Sequence, residues 1–190
     1  NDQVPQKKSY KMTTPFRMIS IGRLFEYKNP LNIIKAVSCL DVHLTVVGMG
    51  PIKAVLESYV RKNQLQEKVQ FVDSMPNDQL CATLCTYDAL VLHTEYFEFS
   101  KVVIEASRAA LPILINFRKD KKQVPELEHN NCLRVSNTVE GYRKGIQKLL
   151  EDEALREQLG SNAFNFAKQH LDPMLCEQAY VDIYTKLMKQ

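Results

Sequence analysis

The fold is indicated first by residues 42–51, which read Val42-His43-Leu44-Thr45-Val46-Val47-Gly48-Met49-Gly50-Pro51. The first six of these residues form a largely apolar run that ends at a glycine, and helical spacing follows at residues 52–63. A short apolar run followed by a helix is typical of a strand in a parallel sheet that helices cover on both faces. This stretch therefore predicts one strand–turn–helix unit of an α/β fold.

The same alternation extends in both directions along the chain. Further strands are predicted at residues 17–21, 69–72, 89–92, 112–115 and 132–135, and helices at 30–40, 52–63, 77–87, 101–110, 139–150, 153–169 and 173–188. Asn29 is the expected N-cap of the first helix, with Pro30 at its first position, and Asn77 or Asp78 is the expected cap of the third. This order predicts a doubly wound, Rossmann-like parallel sheet of about six strands, with helices on both faces and helices at the C-terminal end. Residues 1–15 are polar and contain two prolines, so we expect a linker there and one domain at residues 16–190.

The bulk composition limits the class of protein to which the chain can belong. Of its 190 residues, 45% are hydrophobic and 25% are charged, which is the balance of an ordinary globular protein. The net charge is only +3, and Asp120 interrupts the densest basic cluster at residues 118–122, so we expect no nucleic-acid partner. We find no run that is long enough for a membrane span and no signal-peptide pattern, although a longer parent protein can carry a membrane-binding region elsewhere.

The cysteines indicate a reducing environment. There are five of them, an odd number without a regular spacing, which favours free thiols and a cytosolic protein. Cys81 and Cys85 lie four residues apart on one side of a predicted helix. Because no other pair of cysteines or histidines lies nearby, we interpret this side as a buried apolar face and expect no metal site.

The first candidate motif follows the strand at residues 17–21. Gly22 comes directly after this strand, and Arg23 and Lys28 lie between it and the start of the next helix. Two cations at such an edge are well placed to hold a diphosphate. Taken alone, however, they are also typical of ordinary surface side chains.

The second motif is the turn that contains Gly48 and Gly50. It resembles half of a dinucleotide fingerprint, but Lys53 occupies the position of the third glycine, although Asp73 follows the next strand at about the expected distance. Without the third glycine, a nicotinamide or flavin site is not expected. The two glycines allow either a tight turn or a close approach of the backbone to a ligand, and the sequence leaves both open.

The third motif crosses from the end of a strand into a helix and reads Glu95-Tyr96-Phe97-Glu98-Phe99-Ser100-Lys101-Val102-Val103-Ile104-Glu105-Ala106. The amide groups of Ser100, Lys101 and Val102 at the start of the helix predict a phosphate site. Glu105 lies among apolar residues, so it is either buried with a partner or on an exposed face. Carboxylates at this strand end suggest the hydroxyl groups of a sugar or ribose as ligands.

All three motifs follow strands, so a doubly wound sheet is expected to place them at one edge. Their order and spacing resemble the C-terminal domain of the GT-B glycosyltransferases, and among these glycosyltransferase family 4, whose members are retaining enzymes that use nucleotide-sugar donors. The resemblance runs from about Met18 to the end of the chain. It rests on the motifs Gly-Arg-Leu-x-x-x-Lys-Asn, Val-Val-Gly-Met-Gly-Pro, Phe-Glu-Phe-Ser-Lys-Val-Val-Ile-Glu-Ala and Leu-Pro-Ile.

The resemblance implies a role for each candidate residue. Arg23 and Lys28 would bind the diphosphate of the donor and stabilise the leaving group, and Glu105 would bind the ribose hydroxyls. Residues 72–75 would flank the base. The remaining donor-binding positions would lie against the nucleotide and its phosphates, and they are Gly22, Gly48, Gly50, Ser100, Lys101 and Val102. No cofactor is expected besides the donor substrate itself, for which we expect a UDP- or GDP-linked sugar.

Two positions depart from the pattern of the family. Its first glutamate, which contacts the transferred sugar, would fall at Phe97, so either Glu98 or Glu95 takes its place, or the site is altered. We take Glu98 as the catalytic candidate. The usual Pro-Ser after the fourth strand is replaced by His93-Thr94, and His93 is either a donor contact or a structural loop histidine.

The resemblance covers only one half of a GT-B enzyme. We therefore expect a donor-binding domain whose partner is an N-terminal GT-B domain, which the helix at residues 173–188 packs against and which binds a glycan, lipid-linked or membrane acceptor. The expected location is the cytoplasm or the cytoplasmic face of a membrane, and the isolated chain is expected to bind a donor weakly without transferring its sugar. The alternatives are a non-catalytic nucleotide-binding scaffold and a generic α/β enzyme with an unrelated site.

Overall fold

The computed structural model describes residues 4–12, 14–95, 100–117 and 130–188. Within these ranges the strands are β1 Phe16–Ile21, β2 Val42–Val47, β3 Val69–Val72, β4 Ala89–Leu92, β5 Ile113–Phe117 and β6 Leu133–Ser136. The α-helices are α1 Leu31–Val37, α2 Lys53–Lys62, α3 Asn77–Leu84, α4 Lys101–Arg108, α5 Val139–Glu151, α6 Glu153–His170 and α7 Pro173–Leu187. One 3-10 turn, Glu26–Lys28, precedes α1.

The six strands form one parallel sheet in the order β3-β2-β1-β4-β5-β6, which confirms the predicted fold. Strand β1 lies in the middle of the sheet, and β2 and β3 follow it toward one side. The chain then crosses back and places β4 on the other side of β1. Strand order therefore reverses between β1 and β4. In sheets of this kind, ligands bind in the crevice beyond the carboxyl ends of the strands at such a reversal.

Helices cover both faces of the sheet, and each face has its own apolar core. Alternate residues of one strand point to opposite cores, as Met18 and Ile19 of β1 do. Helices α1, α2 and α5 pack on one face, whereas α3 and α4 pack on the other, and α6 contributes to both. Strands β4 and β5 are buried along almost their whole length, so their sequences are apolar runs with little alternation, whereas Arg17 of β1 and His43 of β2 are exposed.

The N-terminal segment lies against the domain. Residues 4–12 form no helix or strand, but Lys7 pairs with the buried carboxylate of Asp88 at 3.2 Å. The hydroxyl of Tyr10 donates to the carbonyl of Ala110 at 2.8 Å, and the guanidinium of Arg156 donates to the carbonyl of Tyr10. The division into a linker at residues 1–15 and a domain at residues 16–190 stays a prediction.

Several local predictions were wrong in detail. Pro30, not Asn29, is the N-cap of α1, while the Asn29 side chain accepts from the amide of Leu31 at 2.9 Å. Asn77 is the first residue of α3 and not its cap. The buried face of α3 is formed by Leu80 and Leu84. Cys81 and Cys85 are only half-buried, so the prediction that they lie on a buried apolar face was wrong.

Helix α7 carries a row of exposed apolar side chains. They are Met174, Leu175, Tyr180, Val181, Ile183, Tyr184, Leu187 and Met188, the last of which follows the helix directly. No helix in the described ranges combines the length and the apolar character needed to cross a membrane. An apolar helix face of this size is typical of a surface that another protein segment covers.

Candidate functional site

The first and second motifs come together at the carboxyl ends of β1 and β2. The amide of Gly22 donates to the carbonyl of Val47 at 3.0 Å, and the amide of Leu24 donates to that of Met49 at 2.8 Å. The turns after the two strands therefore continue their pairing beyond the sheet. This contact joins the predicted phosphate-binding cations and the glycine turn at one edge.

Gly48 and Gly50 lie so close to the backbone of the turn after β1 that no side chain fits at either position. Their φ angles are +150° and +158°, which side chains rarely adopt. A Cβ atom on Gly48 would collide with the carbonyl of Gly22, and one on Gly50 would collide with the backbone of Leu24. The turn interpretation is thereby supported, and a ligand role for these glycines stays a prediction.

Lys53 and Asp73 form an ion pair next to this turn. The Lys53 ammonium bonds to the carboxylate of Asp73 and contacts that of Glu57 at 3.2 Å, and the hydrogen bond to Asp73 is the main cause that raises the pKa of Lys53. In a dinucleotide site an acid at this position would bind ribose hydroxyls. Here it is paired with the lysine that replaces the third glycine, which is a second argument against such a site.

Arg23 and Lys28 lie at the same edge but in different surroundings. Arg23 is exposed, and its guanidinium carbon lies 5.7 Å from the centre of the Phe25 ring. Lys28 is half-buried, and its Cδ atom would lie 3.8 Å from a Cβ on Gly22. Lys28 therefore runs along the end of β1, where a phosphate can be reached by both its ammonium and the backbone.

A small cavity of about 20 Å³ joins the ends of β1 and β4. Its walls include Ser20, Gly22, Lys28, Pro30, Leu92 and His93. The cavity is large enough for about one water molecule. Residues of the first motif thus face residues after β4 across the strand reversal.

The start of α4 presents free backbone donors at the carboxyl end of β4. Ser100 is the N-cap, and its carbonyl accepts from the amide of Val103 at 2.9 Å. Among the described residues, the amides of Lys101 and Val102 have no hydrogen-bond partner, as expected for the first turn of a helix. Such donors, together with the helix dipole, favour an anion.

Glu105 is buried and partnered, so its placement on an exposed face is excluded. The residue is only 7% exposed, and one carboxylate oxygen accepts from the side-chain amide of Asn77 at 2.5 Å. The ammonium of Lys101 lies 3.5 Å from the same oxygen. A buried carboxylate with two donors at one oxygen keeps acceptor positions for a further hydroxyl group.

His93 is held inside the protein by a side-chain network. Its Nε2 atom lies 3.0 Å from the side-chain nitrogen of Asn137, whose oxygen accepts from Asn32. Burial lowers the pKa of His93, while the Glu95 carboxylate and the Asn29 carbonyl oppose this shift. Nδ1 is buried and makes no hydrogen bond of normal geometry within the described part of the chain. These contacts favour the structural interpretation of His93.

Three residues that hold this edge together were not predicted for the site. They are Asn77, which binds Glu105, Asn116, which binds the backbone of Thr94, and Asn137, which binds His93. Asn116 had a signal in the sequence, because it is a polar residue in an otherwise apolar strand. Asn77 had a signal, but it was interpreted as a helix cap.

Some predicted positions lie outside the described residues. They include Glu98 and Phe97, so the offset between them stays open, and the basic cluster at residues 118–122. Among the residues that are described, no three His, Cys, Asp or Glu side chains gather closely enough to hold a metal ion. The roles assigned to Arg23, Lys28, Glu98, Glu105 and the donor-binding backbone stay predictions.

Known proteins share both the sequence pattern and the fold. The family model of the glycosyl transferases group 1 matches residues 2–166. An uncharacterized glycosyltransferase of Methanocaldococcus jannaschii is 26% identical over 186 residues, which cover 94% of this chain and 47% of that protein. The chain therefore spans about half the length of this curated relative.

Two solved structures show the same fold at low sequence identity. The C-terminal domain of a glycosyl transferase group 1 protein, LpcC, from Francisella tularensis superposes with a TM-score of 0.70 at 16% identity, covering 86% of this chain and 89% of that one. Anabaena HepE, in complex with UDP and glucose, superposes with a TM-score of 0.79 at 19% identity, covering 90% of this chain and 48% of that one. With the family model matching most of its length, this chain belongs to the glycosyl transferases group 1 family.

Proposed function

We propose that this chain is the donor-binding domain of a retaining glycosyltransferase that transfers a sugar from a nucleotide-sugar donor to a glycan or lipid acceptor. The observation that carries the proposal is the meeting of three features at one sheet edge. Lys28 lies along the end of β1, free amides open α4 after β4, and Glu105 is buried one turn further on. The first and third motifs thus share an edge, which argues against a generic α/β enzyme with its site elsewhere.

The phosphate end of the donor is assigned to the cations and the helix start. In transfer, negative charge develops on the departing nucleoside diphosphate, and fixed positive groups stabilise it. Arg23 and Lys28 supply charge from one side, and the amides of Lys101 and Val102 supply donors from the other. Glu98 is kept as the candidate for contact with the transferred sugar.

The nucleoside end is assigned to Glu105 and the segment after β3. A carboxylate accepts hydrogen bonds from ribose hydroxyls, and Glu105 is held in one place by Asn77. HepE was solved with UDP and glucose, which makes UDP the first nucleotide to test here. A GDP-linked sugar is the second candidate.

The chemistry is proposed to need a second domain. The chain spans 47% of the Methanocaldococcus relative, and α7 exposes an apolar face that a further domain would cover. We assign the acceptor, whether glycan, lipid-linked or membrane-bound, to that N-terminal GT-B domain. A protein of this kind works in the cytoplasm or at the cytoplasmic face of a membrane, and the isolated chain binds its donor without transferring the sugar.

Calorimetric titration with UDP, GDP and ADP, and with their glucose conjugates, tests the proposal. The wild-type chain is expected to bind one of these nucleotides, and Glu105→Ala is expected to weaken that binding at least tenfold. Glu151→Ala, which removes an exposed glutamate from the far end of α5, is the matched control and leaves affinity unchanged. Failure of the wild type to bind any nucleotide would instead favour a scaffold, and transfer by the isolated chain would contradict the need for a second domain.

A further inference from the structure

The four residues at positions 92–95, which we name the loop root, are each anchored by a different part of the protein. The carbonyl of Leu92 accepts from the hydroxyl of Tyr142 at 2.9 Å, and the ring of His93 bonds to Asn137. The amide of Glu95 donates to the carbonyl of Tyr27 at 3.1 Å. The remaining anchor, at Thr94, is made by Asn116.

Asn116 holds Thr94 by both of its backbone groups. The side-chain oxygen of Asn116 accepts from the Thr94 amide at 2.8 Å, and its nitrogen donates to the Thr94 carbonyl at 2.9 Å. Backbone pairing between β4 and β5 ends at Leu92 and Ile115, and the Asn116 side chain continues the connection to Thr94, two residues beyond Leu92. Asn116 and Thr94 are 7% and 8% exposed, which leaves water little room to replace these bonds.

The loop root borders the predicted phosphate site from both directions. His93 shares the small cavity with Gly22 and Lys28 at the end of β1. Ser100, which caps α4 and its free amides, follows Glu95 by five positions. A shift of Thr94 would therefore move its neighbour His93, which forms part of the wall that faces Lys28.

We propose that Asn116 is a positioning residue for the donor, because its clamp on Thr94 fixes the loop root against the diphosphate-binding edge. This inference rests on the proposed function. Asn116 touches no part of the donor itself, and its effect passes through the backbone of Thr94. The Glu105 carboxylate, at the nucleoside end, is held by Asn77 and Lys101 and not by this clamp.

The test compares Asn116→Leu and Asn116→Asp with the wild type by calorimetry. UDP, GDP and ADP and the corresponding nucleoside monophosphates are the probes. Both variants are expected to lose at least tenfold in affinity for the diphosphate at pH 7.5 and less than threefold for the monophosphate. Tyr10→Phe, which removes a side-chain bond to the Ala110 carbonyl at the opposite edge, is the matched control and changes neither affinity.

A rescue experiment separates positioning from a general loss of stability. An ionised carboxylate introduced by Asn116→Asp still accepts from the Thr94 amide but repels the Thr94 carbonyl, whereas a protonated carboxyl donates to that carbonyl. Diphosphate affinity relative to the wild type at the same pH is therefore expected to recover as the pH falls for Asn116→Asp, but not for Asn116→Leu. Equal losses for the diphosphate and the monophosphate, or no loss, would overturn the positioning role and leave the proposed function intact.

Hydrogen exchange tests the clamp on the loop root even if no nucleotide binds. In Asn116→Leu, the Glu95 amide, which is not bonded to Asn116, is expected to exchange at least ten times faster than in Tyr10→Phe. Amides in β1 and β2 are expected to keep their rates. Equal exchange at Glu95 in the two variants would show that Asn116 does not hold the loop root, whatever the outcome of the titrations.

Discussion

The hydrogen bond between Asn77 and Glu105 predicts a loss of stability that does not depend on any ligand. Asn77→Ala removes the donor that lies 2.5 Å from a carboxylate oxygen which is almost fully buried. A hydrogen bond to a charged group contributes about 1.5–3 kcal/mol. The Lys101 ammonium, 3.5 Å from the same oxygen, replaces little of this because its side chain is 74% exposed.

Alanine also favours the helix slightly, by up to about 0.7 kcal/mol relative to asparagine. The net loss expected for Asn77→Ala is therefore about 1–2.5 kcal/mol in the free energy of unfolding. Urea unfolding at pH 7, followed by circular dichroism, measures this quantity. Gln79→Ala, which alters an exposed residue of the same helix, is the matched control and is expected to stay within about 0.5 kcal/mol of the wild type.

A double-mutant cycle identifies the charge as the cause. In a Glu105→Gln background the acceptor is neutral and its hydrogen bond contributes only about 0.5–1.5 kcal/mol, so after the same helix-propensity gain the removal of Asn77 is expected to cost less than about 1 kcal/mol. A free energy of unfolding for Asn77→Ala within about 0.5 kcal/mol of the wild type would show that this bond does not stabilise the protein. An equal loss in both backgrounds would show that the bond does not depend on the charge of the carboxylate.

Three further predictions concern the same edge of the sheet. Lys28→Ala is expected to weaken UDP binding about tenfold with little change for uridine, because a charged hydrogen bond to phosphate is lost. Arg61→Ala on α2 is the control. Equal losses of affinity for UDP and uridine in calorimetry would contradict the assignment of Lys28 to the diphosphate. Gly50→Ala is expected to destabilise the protein by more than about 2 kcal/mol in urea unfolding, because the added Cβ would collide with the Leu24 backbone at a φ that is strained for alanine. An unchanged free energy of unfolding would show that this turn adapts to the side chain. Burial lowers the pKa of His93 in the folded state, so the unfolded chain binds its proton more readily and stability falls as the pH drops below about 6.5. His93→Gln is expected to reduce this dependence of stability on pH between pH 7 and 5. An unchanged dependence would exclude His93 as its source.

The sheet could be predicted from the sequence because its strands are apolar runs with clear ends. Strands β2, β3 and β4 have the predicted bounds, since turn residues or polar positions interrupt each run. The ends of the helices were less predictable. Helix α1 ends at Val37 and not at residue 40 as predicted. Directly after Val37, the Ser38 hydroxyl donates to the carbonyl of Lys35 at 2.8 Å.

The site could be predicted only in part, because its positions follow from the sheet but its partners do not. The residues after β1, β2 and β4 must meet at one edge once the strand order is known. The bonds from Asn116 to Thr94 and from Asn77 to Glu105 join residues that are 22 and 28 positions apart. Neither local periodicity nor a short motif encodes such a pair, so an isolated asparagine gives no indication of its partner.

A crystal structure of this chain grown with UDP, and in parallel with GDP and ADP, tests the central claim most directly. The proposed donor site would hold the diphosphate between Lys28 and the amides of Lys101 and Val102, with the ribose hydroxyls within hydrogen-bond distance of the Glu105 carboxylate. Nucleotide bound at the opposite edge of the sheet, or at this edge with Glu105 still bonded only to Asn77 and Lys101, would contradict it.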